Sequence, residues 1–327
     1  MKQHYIPRCY LRQFSNNKKS IYTYDKQHSK KYNASLMSVC CEDDIYTFSE
    51  EFVQRNKEEG NCTINRLSIE TDHFAHTVEP LYIQLLNQIN EIKEEWVTGK
   101  DHYILNFYEK KELALHIVTQ YFRLPQIGDT LVDNYIRMER ASIDMMKELM
   151  AKQTNNDDYK KIKINPTCEK PALIADLSYL DCETLMKFAD AIAINIFVFW
   201  TSKNSDFYSS DFPIVVCPHV DKVRPLYMGL SQFGGELTIP LSPNLMLSIY
   251  DRDYFNTTKK ELDGHFIEAS DKDVRRYNLL RYMYASQHIF SYNNDFSLID
   301  FVYKLKGRHD FFKPNNSISI VSGLGKY

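Results

Sequence analysis

A chain of 327 residues with 43% hydrophobic and 25% charged residues has the length and composition of a globular protein that builds its own core without disulfides or metals. A net charge of −3 excludes a generally basic nucleic-acid coat, and 10 glycines against 23 tyrosines and 19 phenylalanines favour aromatic-packed helices over a Gly-rich nucleotide-binding sheet. The cysteines at 9, 40, 41, 62, 168, 182 and 217 form no C-x-x-C pair and read as reduced thiols; with no signal-like N-terminus and no apolar run long enough to span a bilayer, a cytoplasmic protein without a membrane partner is expected.

Chain termini are usually polar and poorly ordered. This one opens with His4-Tyr5-Ile6-Pro7-Arg8, Tyr10-Leu11-Arg12 and Phe14, enough apolar surface to be packed down. Residues 20–24 and 45–48, β-branched and aromatic between polar turns, predict two short strands. From residue 61 the pattern turns helical, with Ile69, Val78, Leu81, Leu85, Ile89 and Ile92 in phase and a stop near Gly99. A second helix is predicted over about 106–124, stopped by Pro125, and a third over about 130–150. Residues 154–170 are polar and charged and read as a flexible excursion. Residues 180–200 read as one strongly apolar helix central to the core. Three strands are predicted at 212–216, 236–241 and 245–250, then helices over 274–290 and 296–305. The expected fold is α+β, mainly α: a helical body with a small antiparallel or mixed sheet around 210–250, one domain over 1–305 and a C-terminal tail over 306–327.

Four stretches concentrate polar residues among apolar ones. They are the opening; Ile69-Glu70 with Val78-Glu79-Pro80; Gln120-Tyr121-Phe122-Arg123-Leu124-Pro125; and Ser209-Ser210-Asp211-Phe212-Pro213 with Ile239-Pro240-Leu241-Ser242-Pro243. A weaker echo, Asn278 followed by Ala285, falls later. In this order they resemble the bacterial domain-of-unknown-function family 4238, with its opening signature H-Y-x-P-x-x-Y-L-x-x-F at residues 4–14. The chain departs from the pattern at Phe212, where the family shows Asn before the Pro. The resemblance implies that His4, Glu79, Gln120, Arg123 and Asp211 matter together; it implies no reaction and no cofactor.

A histidine, carboxylates and an arginine form a kit for phosphoryl chemistry: a base, a charge stabiliser and a bidentate anion clamp. On that reading His4 is the base or a ligand, Arg123 clamps phosphate with Gln120 one turn before it, and Glu79 and Asp211 are the carboxylates. The protein would be a cytosolic bacterial enzyme, such as a nuclease or phosphodiesterase of a phage-defence or mobile-element system, with nucleic acid or a nucleotide as partner. The other reading is a non-catalytic module binding a ligand, a protein partner or a second copy of itself, in which Arg123 pairs internally with Glu79 or Asp211. A catalytic site opens to solvent; a structural network is closed over.

Two further patterns carry less. Glu70-x-x-His73-x-x-His76-x-x-Glu79 resembles a metal motif, yet on an α-helix Glu70 and Glu79 point in opposite directions, leaving Asp72, His76 and Glu79 on one face as part of a divalent-metal shell; no metal site is assigned. Arg281 and His288, seven apart on the predicted late helix, are spaced as an Arg and a His are in two-helix ribonuclease toxins. No G-x-G-x-x-G, G-K-[ST] or G-x-S-x-G is present, against nucleotide-binding folds and α/β-hydrolases.

Overall fold

The computed structural model describes residues 1–60, 64–100, 105–178, 182–220, 230, 233–309 and, as backbone, 321–322 and 325–326. The apolar opening is drawn into the core. Lys2–His4 (β1) pairs antiparallel with Cys41–Asp43 (β4), His4 opposite Cys41. The chain then turns through helix α1 (Arg8–Leu11) and a 3-10 turn (Arg12–Phe14), with Ile6, Tyr10, Leu11 and Phe14 fully buried. Burying each of these side chains contributes about 1.5–3 kcal/mol, enough to outweigh the entropy of tying down the terminus. The Tyr10 hydroxyl is buried too and donates to the Pro240 carbonyl at 2.7 Å, fastening the opening to the second half of the chain.

The helical body follows the local signals. Helix α2 (Glu50–Glu58) is capped by Ser49, whose side chain accepts from the Phe52 N–H. A π-helical segment, Ile69–Val78, runs into α3 (Glu79–Val97). Helix α4 (Phe107–Phe122) opens on a capping box between Asn106 and Glu109 and buries Leu113, Ala114, Ile117 and Val118. Pro125 both ends this run and begins α5 (Pro125–Thr154), because its missing N–H is harmless in a first turn; the third helix therefore starts five residues earlier than its apolar markers indicate. Helix α6 (Asp158–Lys161) lies within the polar 154–170 stretch, and α7 (Lys170–Ser178) and α8 (Glu183–Ala193) pack with α4.

The expectation of a small sheet is overturned. Helix makes up 52% and strand 18%, so the class is α+β, but the strands form sheets of two, four and five. The five-stranded sheet joins His265–Glu268 (β10), Ile196–Thr201 (β5), Leu245–Tyr250 (β9), Gly235–Ser242 (β8) and Val215–Pro218 (β7) in that order; only the β10–β5 pair is parallel. Every residue of β8 and β9 is buried, so both faces are covered. The antiparallel four-stranded sheet joins Lys30–Ser35 (β3), Ser20–Asp25 (β2), His288–Ser291 (β11) and Ser209–Ser210 (β6).

Two strands lie inside runs that read as helix. Residues 180–200 divide into α8 and β5, where Ile196-Phe197-Val198-Phe199 after Asn195 is buried on both sides; a short apolar run of this kind has no periodicity that separates strand from helix. The 274–290 run divides into α10 (Asp271–Tyr284) and β11, which places Arg281 and His288 on different elements, not on one helix face. Conversely, residues 45–48 are turn and coil, and β4 lies just before them. Helices α9 (Arg252–Lys259) and α11 (Ser297–Lys306) complete the second half. Of the predicted tail, His309 is buried, with its ring nitrogens bonded to the Tyr24 and Tyr282 hydroxyls at 3.1 and 3.0 Å; residues 310–320, 323–324 and 327 lie outside the described residues, as do 180–181 of the predicted 180–200 helix. Among the described residues no helix is long and apolar enough to cross a membrane.

Candidate functional site

Arg123 follows the last turn of α4, just before Leu124-Pro125 redirects the chain, and it is fully buried. Its Nη2 donates to the His4 carbonyl at 2.6 Å, and Nη1 and Nη2 reach Glu79 Oε1 at 3.4 and 3.3 Å. The guanidinium lies 3.9 Å from the centre of the Phe74 ring, and the Tyr46 hydroxyl donates to the Arg123 carbonyl at 2.6 Å. Burial disfavours the charge, but Glu79, Tyr46 and Glu70 outweigh it and hold the guanidinium pKa above its ordinary value. One donor is left over: Arg123 Nε is buried with no partner among the described residues.

The π-helix explains how two glutamates come to this arginine. With i→i+5 hydrogen bonding, nine residues make about two turns. Glu70 and Glu79 therefore share a side, against the opposite directions that α-helical winding predicts, and Glu70 feels the charges of both Arg123 and Glu79. Its carboxyl is pushed up by burial, which Arg123 opposes. The same winding takes Asp72, His76 and Glu79 out of α-helical phase; His76 Nδ1 bonds to the Thr71 carbonyl, and among the described residues no group of three or more His, Cys, Asp or Glu could hold a metal ion.

The other predicted residues are placed as follows. His4 shares this knot through its carbonyl, while its ring Nε2 donates to the Leu36 carbonyl at 3.1 Å; burial pushes the imidazole pKa down. Gln120, buried on α4, accepts from the Tyr82 hydroxyl at 3.0 Å through Oε1, and its Nε2 has no partner among the described residues. Asp211 lies elsewhere, under the turn between α10 and β11. Its carboxylate accepts the backbone N–H groups of Ser286, Gln287 and His288 at 2.8, 2.7 and 2.8 Å, and His288 Nδ1 stands 3.8 Å away. Burial pushes this carboxyl up, against the pull of the three N–H donors and His288. His4, Glu79 and Arg123 thus come together, Gln120 is a neighbour with a different partner, and Asp211 belongs to a separate turn. Asn278 is likewise structural: it accepts the Tyr208 N–H at 2.7 Å and donates to the Asp206 carbonyl at 2.8 Å.

Open space lies elsewhere. A cleft of about 350 Å³ is bordered by Tyr5, Cys40, Cys41, Gln126, Asp211 and His288. A larger one, about 550 Å³, runs between the 204–208 segment, the side of α10 and the start of α11; Asp206, Arg275, Ser291, Asn293, Asp295 and Phe301 are among the residues that border it. There Asn293 Nδ2 donates to Asp206 Oδ2 at 2.5 Å, and burial together with Asp295 raises the Asp206 carboxyl pKa. Arg275 makes no ion pair among the described residues, and neither does the fully buried Ser291 hydroxyl have a hydrogen-bond partner there.

One charged cluster escaped the sequence reading altogether. Glu236 on β8, fully buried, accepts from Tyr277 OH at 2.9 Å, from Arg276 Nη2 and from His219 Nε2 at 2.8 Å. Burial opposes its ionisation, but His219 and Arg276 bring the carboxyl down to about 2. The nearby turn depends on Gly234 (φ +72°), where a Cβ would stand 2.2 Å from the Val220 side chain. The only sequence signal was an acidic residue inside an apolar strand run, which fits a buried partner; its partners come from 17 and 40 residues away.

The fold is thus an α+β protein with a five-stranded and a four-stranded sheet, buried ionic knots and open clefts. The chain belongs to the family described as Protein of unknown function (DUF4238), whose model matches residues 2–295. No curated protein and no solved structure matches it.

Proposed function

We propose that this chain is a non-catalytic binding module that takes a small polar ligand in the 550 Å³ cleft, with the Arg123 knot as internal support. The observation that carries the reading is the condition of Arg123: it is fully buried, and its terminal nitrogens already hold a carboxylate and a carbonyl, leaving no approach for a phosphate. The cleft, by contrast, keeps polar groups open. Asp206 and Asp295 favour a positively charged group, Arg275, with no ion pair among the described residues, a negative one, and Phe301, Leu298 and Val274 supply apolar wall. A zwitterion, an amino acid or short peptide, matches that set. The free thiols of Cys9, Cys40, Cys41, Cys168, Cys182 and Cys217 support a reducing, cytoplasmic setting. In a thermal-shift panel of amino acids and dipeptides, at least one should raise the melting temperature of the wild type and neither Asp206→Asn nor Arg275→Ala should respond; no response in the wild type, or the same response in the variants, removes the reading.

A second reading, a phosphodiesterase or nuclease, is favoured by Asp211 and His288 facing the 350 Å³ cleft beside Tyr5 and Cys40. It needs hydrolysis of RNA, DNA or a nucleotide by the purified protein, lost in His288→Ala.

A further inference from the structure

Helix α5 is 30 residues long but buries only Pro125, Ile127, Gly128, Ala141 and Ala151. Along one side, Tyr135, Met138, Met145, Met146, Leu149 and Met150 are between 40% and 64% exposed. At about 100° per residue these six and Ser142 fall within an arc of about 140°, and the stripe runs about 22 Å along the helix. The sole charged side chain in that arc is Glu139, at its rim. Together the six expose about 600 Å² of largely apolar surface, the upper end of what a free monomer carries as one patch.

We propose that this stripe is a self-association surface, on which α5 of a second copy of the chain packs antiparallel. Two features select a second copy as occupant. The first is area: pairing the stripe with itself at full burial removes at most about 1,200 Å² in total, the lower edge of the range of specific interfaces. The second is the order of the side chains, which for four of the six is self-complementary about Ser142. Tyr135 and Leu149 stand seven residues to either side, and Met138 and Met146 four. In an isologous two-fold arrangement Tyr135 of one copy lies level with Leu149 of the other, and Met138 level with Met146. Each such pair sits on opposite sides of the stripe's midline, so the side chains interdigitate instead of colliding. The two Ser142 side chains meet at the axis, where their small size lets the helices approach closely. Unbranched methionines adapt to a facing surface of this kind.

Sedimentation equilibrium of the full chain over a wide concentration series tests the proposal. The wild type should dimerise reversibly, and Met138→Glu combined with Leu149→Glu should weaken self-association at least tenfold while leaving the circular-dichroism spectrum and melt unchanged. Ser142→Cys should give a disulfide-linked dimer in oxidised glutathione, whereas Arg140→Cys, on the other side of the helix, should give none beyond the wild-type background. A wild type that stays monomeric throughout overturns the proposal, including the case in which a different protein covers the stripe. So does a dimer that survives the double glutamate variant, since its interface then lies elsewhere.

Discussion

The Arg123 knot and the cleft beside α10 and α11 contain the same kinds of side chain in opposite states. In the knot an arginine is closed over by Phe74, Tyr46 and the N-terminal segment, and its guanidinium is held between the carboxylate of the partly exposed Glu79 and the His4 carbonyl. In the cleft Arg275 and Asp206 stand apart around open space. Polar residues shared in a pattern across a family are therefore not by themselves a site. Where the chain has closed over them they hold distant segments together, here residues 4, 79 and 123; where it has not, their hydrogen-bonding capacity is available to a ligand.

The sharpest way to break this comparison is Arg123→Ala. Removing one partner from a buried pair leaves Glu79 and the His4 carbonyl without their donor, and about 3–5 kcal/mol of stability should be lost, read as a lower urea midpoint. A variant of unchanged stability that lost an enzymatic activity would instead make Arg123 a working residue.

Acid should expose two further closed groups in separate windows. His116, buried and stacked 5.0 Å from the Tyr82 ring, has its pKa pushed down to about 4 by burial. The unfolded chain therefore binds a proton near pH 6.5 that the folded chain refuses until about pH 4, so stability falls as pH drops through that window, on the order of 3 kcal/mol in all. Glu236, with its carboxyl near 2, contributes stability that is complete above the ordinary glutamate pKa and lost as pH falls from about 4.5 towards 2. Urea midpoints measured against pH should show His116→Phe flattening the upper window and Glu236→Gln the lower. At neutral pH Glu236→Gln should cost about 2 kcal/mol, less than Arg123→Ala, because half-exposed Arg276 and His219 regain water.

The smallest stability effects belong to the cleft. Asp206→Asn and Arg275→Ala should each leave the melting curve within about 0.5 kcal/mol of wild type, as surface substitutions do. A loss of stability comparable to that of Arg123→Ala would make the cleft another knot and erase the contrast.

What the sequence determined by itself is whatever depends on near neighbours. The buried opening was legible in the apolar residues among His4 to Phe14, and the bodies of α3, α4 and α5 in helical spacing, the Asn106–Glu109 box and Pro125. The family was legible in the order of its four stretches, and an internal Arg123–Glu79 pair was one of two readings the residues left open. The tertiary structure alone decided the rest. Strands β5 and β11 took the ends of runs that read as helix, because a strand buried on both faces loses its alternation and is specified by partners up to 269 residues away, as Ser291 of β11 is by Tyr22 of β2. The π winding at Ile69–Val78 put Glu70 and Glu79 on one side, a register that α-helical counting cannot show. Asp211 was drawn away from Arg123 by three backbone N–H groups of the 286–288 turn, and Glu236 met His219 and Arg276 only when β7, β8 and α10 were assembled. Hydrogen-bond partners of buried charges are chosen by which elements pack, and packing is a property of the whole chain.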